Sequence, residues 1–138
     1  MEERNKKSRS KMPADRKASL VMQWLEEKQG QALVALDVRG VNSYTEALVL
    51  ASAMNMRHAQ ALSDWVLSKF RENNLEVLGV EGYHPGYWIL VDCNDLILHV
   101  FQTEYREFYN LDGLWRDAPR LGFDAFQKED GEGGQTQL

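Results

Sequence analysis

Apolar positions along the chain fall into short blocks separated by turn-forming residues. Over 18–29, Leu20, Val21, Trp24 and Leu25 recur at helical spacing, and Gly30 follows as a stop signal. Over 33–38 the chain is apolar and β-branched until Gly40 and Asn42 break the run. Residues 47–53 form a near-continuous apolar stretch, the pattern of a strand covered on both faces. The link between these two strands is short, which suits antiparallel neighbours. The clearest helix spans 57–73, where Ala59, Leu62, Val66 and Phe70 make one stripe and Asn73-Asn74 ends it. Residues 75–80 read as a weak strand or extended link before Gly82, and Pro85-Gly86 as a turn. Strands follow over 87–92 and 96–101, then a helix over 103–110 with Thr103 as its N-cap and Glu104 in its first turn.

The order helix-strand-strand-helix-strand-strand-helix with short loops predicts an α/β fold, a small mixed sheet with helices packed on it. A chain of 138 residues fits one domain. With 43% hydrophobic residues, including 4 Trp, 5 Tyr and 5 Phe, it can build a core. No apolar run reaches the roughly 18 residues of a membrane helix, and no apolar segment follows the basic N-terminal residues as a secretory signal would require. The single cysteine, Cys93, excludes an internal disulfide framework and suits a reducing, cytoplasmic setting.

Charge changes this picture. Residues 1–17 carry 7 basic and 3 acidic residues, net +4, whereas 18–138 carry 9 basic and 18 acidic residues, net −9. The predicted organisation is a disordered basic arm (1–17), a folded unit (18–117) and a flexible acidic tail (118–138), whose Phe123 and Phe126 are the residues able to dock on the body. An acidic body disfavours broad contact with phosphates and favours a basic protein surface as partner. The arm is a solvated tail or a contact for RNA phosphates.

The second hairpin concentrates the chemistry. A two-residue turn at Asn94-Asp95 opposes Trp88 to Phe101, Leu90 to His99 and Asp92 to Ile97. One face then carries Trp88, Leu90, Asp92, Ile97, His99 and Phe101, and the other Ile89, Val91, Leu98 and Val100. The aliphatic face is the natural core. The mixed face has the composition of a contact surface. Alternatives stay open: His99 is a contact, a support or a satisfied core histidine, Trp88 an anchor or ordinary packing, and Asp92 a partner acceptor or the cap of its own turn.

Enzyme readings are thin. Asp92 near His99 suits acid–base work, but no nucleophile accompanies them, and Cys93 has no signal that lowers its pKa. His58, His84 and His99 lack metal-ligand spacing, and no phosphate-binding glycine motif occurs. Neither a metal nor another cofactor is expected.

Several segments, in order and spacing, resemble the Iojap family, the bacterial ribosomal silencing factor RsfS. They are Leu36-Asp37-Val38-Arg39-Gly40; Arg57-His58 opening the main helix; Gly79-Val80-Glu81-Gly82; Trp88-Ile89-Leu90-Val91-Asp92; Asp95 through His99-Val100-Phe101; Arg106-Glu107 with Tyr109; and Leu114-Trp115. The resemblance covers roughly 18–117. It departs at Ser52-Ala53-Met54-Asn55-Met56, where the family has a Gly/Thr/Ser-rich link, and at Asn94, where the family has the turn glycine.

The resemblance implies a fold similar to that of nucleotidyltransferases, though the Gly-Ser and Asp-x-Asp signature of that activity is absent, so fold analogy does not carry the activity over. It implies a non-enzymatic factor. Such a factor binds the large ribosomal subunit at protein L-fourteen, blocks joining of the small subunit and represses translation when nutrients are short. The expected partner-binding residues are Trp88, Asp92, His99, Phe101, Arg106, Tyr109, Arg57 and His58. Two other readings are a divergent nucleotidyl- or phosphoryl-transferase working through Asp37, Asp92 or Asp95, and a scaffold whose Trp88 face pairs with itself as a homodimer.

Overall fold

The computed structural model describes residues 12–42 and 44–122. Its elements are α1 (Ala14–Glu27), β1 (Gln31–Asp37), β2 (Ala47–Ala53), α2 (Met56–Glu72), β3 (Gly79–Glu81), β4 (Trp88–Asp92), β5 (Leu96–Gln102), α3 (Thr103–Tyr109) and α4 (Leu111–Leu114). They form a mixed five-stranded sheet in the order β1-β2-β5-β4-β3. The pairs β1/β2, β4/β5 and β3/β4 are antiparallel, and β2/β5 is parallel.

The alternation of side chains sorts the sheet into two apolar layers. Val49, Ala51, Ile89, Val91, Leu98 and Val100 share one core with the buried stripes of α1 and α2. The predicted α2 stripe of Ala59, Leu62, Val66 and Phe70 is fully buried. Phe70 meets Trp24 of α1 edge-on at 5.8 Å between ring centres, which joins the two helices over the sheet. On the opposite face Leu36, Leu48, Leu50 and Phe101 form a smaller cluster, covered by half-buried Tyr105, Leu111 and Trp115. β2 lies between these layers, and all seven of its residues are buried, as its unbroken apolar run requires.

Four expectations need correction. The element order gains a three-residue edge strand, β3, and a one-turn helix, α4. The first helix starts at Ala14, inside the stretch read as a disordered arm. Lys17 is 1% exposed, and its ammonium donates to Asp95 at 2.5 Å in the β4–β5 turn. Residues 1–11 lie outside the described residues. The stretch read as a loose tail begins by pairing with β1: Asp37 N–H donates to the Pro119 carbonyl and Leu121 N–H to that of Ala35, each at 2.8 Å. Phe123, Phe126 and the rest of that stretch lie outside the described residues. Finally, the N-cap of α3 is Gln102 without a side-chain cap bond, while Thr103 Oγ1 donates to the Ala53 carbonyl instead.

Candidate partner-binding face

The β4–β5 hairpin has the predicted register, with Trp88 opposite Phe101, Leu90 opposite His99 and Asp92 opposite Ile97. Asn94 makes this possible by adopting φ +73°, which asparagine tolerates. Asp92 Oδ1 accepts the Asn94 N–H at 2.9 Å, so the carboxylate caps its own turn. Gly82 serves the same hairpin from the side. At φ +80°, a Cβ there would come within 2.2 Å of the Trp88 carbonyl oxygen.

The mixed face is an aromatic stack of graded exposure. Phe101 lies at the bottom with no accessible surface. Trp88 lies over it at 5.0 Å, and Tyr109 packs on Trp88 at 4.6 Å. Trp88 is half-buried, Tyr109 is 46% exposed, and Phe108, edge-on to Tyr109 at 5.0 Å, is 76% exposed. Tyr87, also exposed, stacks on Tyr105 at 4.6 Å along the rim. Beside them a cleft of about 430 Å³ is lined by Met54, Gln102, Thr103, Glu104 and Glu107.

His99 fixes the orientation of Trp88. Its Nδ1 accepts the Trp88 indole N–H at 3.0 Å, which assigns the ring proton to Nε2. His99 is 7% exposed, and burial pushes its pKa down to about 4, so the ring is neutral at physiological pH.

The eight expected contact residues thus separate. Trp88, His99, Phe101 and Tyr109 come together, with Phe101 and His99 beneath the surface as supports. Arg106 was expected to offer a donor at this edge. Instead its guanidinium is buried, bonded to Asp112, the Ala32 carbonyl and Ser52 Oγ. Arg57 and His58 open α2, which packs on the opposite layer. His58 Nδ1 accepts the Met54 N–H at 3.0 Å and Nε2 donates to the Lys28 carbonyl at 2.9 Å, tying α2 to the end of α1. Phe108 and Tyr87, exposed beside the stack, were not among the expected residues. The signal for Phe108 was three aromatics in the seven residues of α3, too many for a polar helix to hide.

Burial pushes the Cys93 thiol up to about 12, which removes it as a nucleophile. Among the described residues no three His, Cys, Asp or Glu side chains converge on a metal position, and no helix is long and apolar enough to cross a membrane. Asp37 is bound by Arg39, which holds its carboxyl below the ordinary range, and Asp95 by Lys17.

The chain is a small mixed sheet with α1 and α2 on one face, and with α3, α4 and a partly exposed aromatic stack on the other. Residues 11–137 match the family model described as "Ribosomal silencing factor during starvation" (RsfS), and the chain belongs to that family. It is similar to the ribosomal silencing factor RsfS of Haemophilus influenzae, with 32% identity over 69% of this chain and 93% of that protein. Likeness to the Bacillus subtilis RsfS is 30% over 72% of this chain and 84% of its relative. A crystal structure of a Chromobacterium violaceum protein superposes with TM-score 0.73 at 29% identity, covering 75% of this chain and 87% of that one.

Proposed function

We propose that this chain silences translation by binding the large ribosomal subunit at protein L-fourteen and standing where the small subunit would dock, without catalysing a reaction. The observation that carries this reading is the half-buried Trp88, locked by His99 and surrounded by exposed Tyr109, Phe108 and Tyr87. A blocking protein needs a rigid patch and occupied volume, not turnover. An aromatic anchor held in one rotamer loses little entropy on docking. The acidic body has the complementary sign for a basic ribosomal protein, and the basic residues at the N-terminus suit rRNA phosphates. Such a factor works in the cytoplasm. Off the ribosome, the same face could be covered by a second copy.

Co-sedimentation with separated ribosomal subunits tests the reading. The expected result is binding to the large subunit alone, with subunit joining blocked and both effects lost in Trp88→Ala. No binding by folded protein to either subunit would overturn it. Cross-linking to a large-subunit protein other than L-fourteen would overturn the named partner.

A further inference from the structure

α3 carries Tyr109 and Phe108, yet its only buried residue is the charged Arg106. The helix has seven residues and no side-chain cap at its start, so it has little stability of its own. α4, which follows directly, has no buried residue at all. Half-buried Tyr105 and Leu111 pack this corner on the sheet, and a polar clasp fixes it there. Arg106 Nε and Nη2 grip both oxygens of Asp112 at 3.0 and 2.9 Å, a bidentate pair. Nη1 reaches down to the Ala32 carbonyl at 2.7 Å and to Ser52 Oγ at 2.9 Å. Ala32 stands at the irregularity in β1 with φ +49°, which leaves its carbonyl without a regular place in the β1/β2 ladder. One side chain thus joins α3, α4, β1 and β2. Three residues on, Tyr109 covers Trp88.

We infer that Arg106 is a positioning residue for the docking face. It does not touch the partner; it fixes the α3–α4 corner so that Tyr109 and Phe108 stand beside Trp88 in a binding-ready arrangement. The inference rests on the reading of this face as the ribosome-binding surface. It replaces the expectation that Arg106 itself meets the partner.

Two properties separate positioning from contact. If Arg106 acts through Asp112, then Asp112→Asn, which keeps shape but loses the charge, weakens binding as Arg106→Lys does. Lysine keeps the charge of Arg106 but cannot grip both carboxylate oxygens. If Arg106 acts through Tyr109, the losses are not additive: with each single variant weakening large-subunit binding roughly tenfold, Arg106→Lys/Tyr109→Ala should be no weaker than the worse single variant. The affinity of purified large subunits for folded variants of matched melting temperature measures both. A roughly hundredfold loss in the double variant, or native affinity in Asp112→Asn, would overturn the inference.

A readout without the ribosome keeps the two readings apart. The Trp88 indole N–H resonance, assigned by its loss in Trp88→Phe, should shift in Arg106→Lys and in Asp112→Asn as Tyr109 leaves its ring. An unmoved resonance would overturn the positioning role even if the native protein binds. Failure of the native protein to bind, with the resonance shifting as expected, would instead discard the ribosomal reading and leave the clasp standing.

Discussion

The indole N–H of Trp88 donates to Nδ1 of His99 at 3.0 Å, a bond that runs diagonally between β4 and β5. Trp88 faces Phe101 across the ladder, and His99 sits two residues before Phe101 on the same strand. The three rings therefore interlock, with Phe101 under both. Because the bond needs an unprotonated Nδ1, the orientation of the surface tryptophan depends on a neutral histidine below it.

That dependence gives a pH effect of definite sign. Burial pushes His99 down to about 4 from the ordinary 6.5. Between those values the unfolded chain binds a proton that the folded chain excludes, so stability rises with pH across the window and is lost as pH falls from 6.5 toward 4. The full effect is about 3 kcal/mol at most. His99→Gln offers the indole an acceptor that does not titrate. Urea unfolding at pH 7 and pH 4.5 should show a smaller acid loss in this variant. Equal losses in variant and parent would assign the acid sensitivity to the carboxylates.

Gly82 supports the same tryptophan through its backbone. Any Cβ at φ +80° is strained, and here it would also collide with the Trp88 carbonyl at 2.2 Å. Gly82→Ala should cost about 1–3 kcal/mol in thermal unfolding and shift the Trp88 indole resonance. A variant with native stability and an unshifted resonance would show that the loop relaxes without moving β4.

Lys17 and Asp95 give a third test. Lys17 is 2% exposed at its side chain and Asp95 22%, so the pair is closed on the lysine side and wetter on the other. Lys17→Met replaces a buried ammonium with an apolar side chain of similar length, but leaves Asp95 without this partner. A loss of about 1–2 kcal/mol is expected, partly recovered by Asp95→Asn in the same chain. Chemical denaturation of the two single variants and the double measures the coupling. Strict additivity would mean that the ion pair does not link α1 to the hairpin.

Much of this architecture was legible because local pattern and burial agree. The fully buried β2, the α2 stripe and the hairpin register all follow from the period of apolar residues and from one turn residue, Asn94. Ala53, suspect as a substitute for a flexible link residue, simply continues β2 opposite Gln102, where no positive φ is needed. What pattern could not give was the fate of charged side chains. Lys17 and Arg106 read as surface cations because their types usually are. Each is buried by a partner distant in sequence: Asp95 lies 78 positions from Lys17, and Ser52 lies 54 from Arg106. The pairing of Leu121 with Ala35 is hidden for the same reason, since hydrogen bonds between main chains leave no composition signal. At the site, the aromatic face was readable, but the division between surface anchor and buried support was not.

The two faces of the hairpin supply the sharpest contrast. Val91 and Trp88 lie on the same strand, three residues apart and on opposite sides of the sheet. Val91 has no accessible surface and sits in the core shared with α1 and α2, so Val91→Asp buries a charge with no partner. It should cost more than about 3 kcal/mol and abolish cooperative unfolding near physiological temperature. Trp88 packs on Phe101 and Tyr109 but is only half-buried, so Trp88→Ala should leave a folded protein with a modestly lower melting temperature. Its large effect should fall on binding, about 2 kcal/mol or more of affinity for the large subunit. Thermal unfolding and subunit co-sedimentation on the two variants, side by side, check both halves. If Trp88→Ala unfolds the protein as Val91→Asp does, then the tryptophan is core, and the docking surface must be sought on the outer rim formed by Tyr87, Phe108 and the acidic cleft beside them.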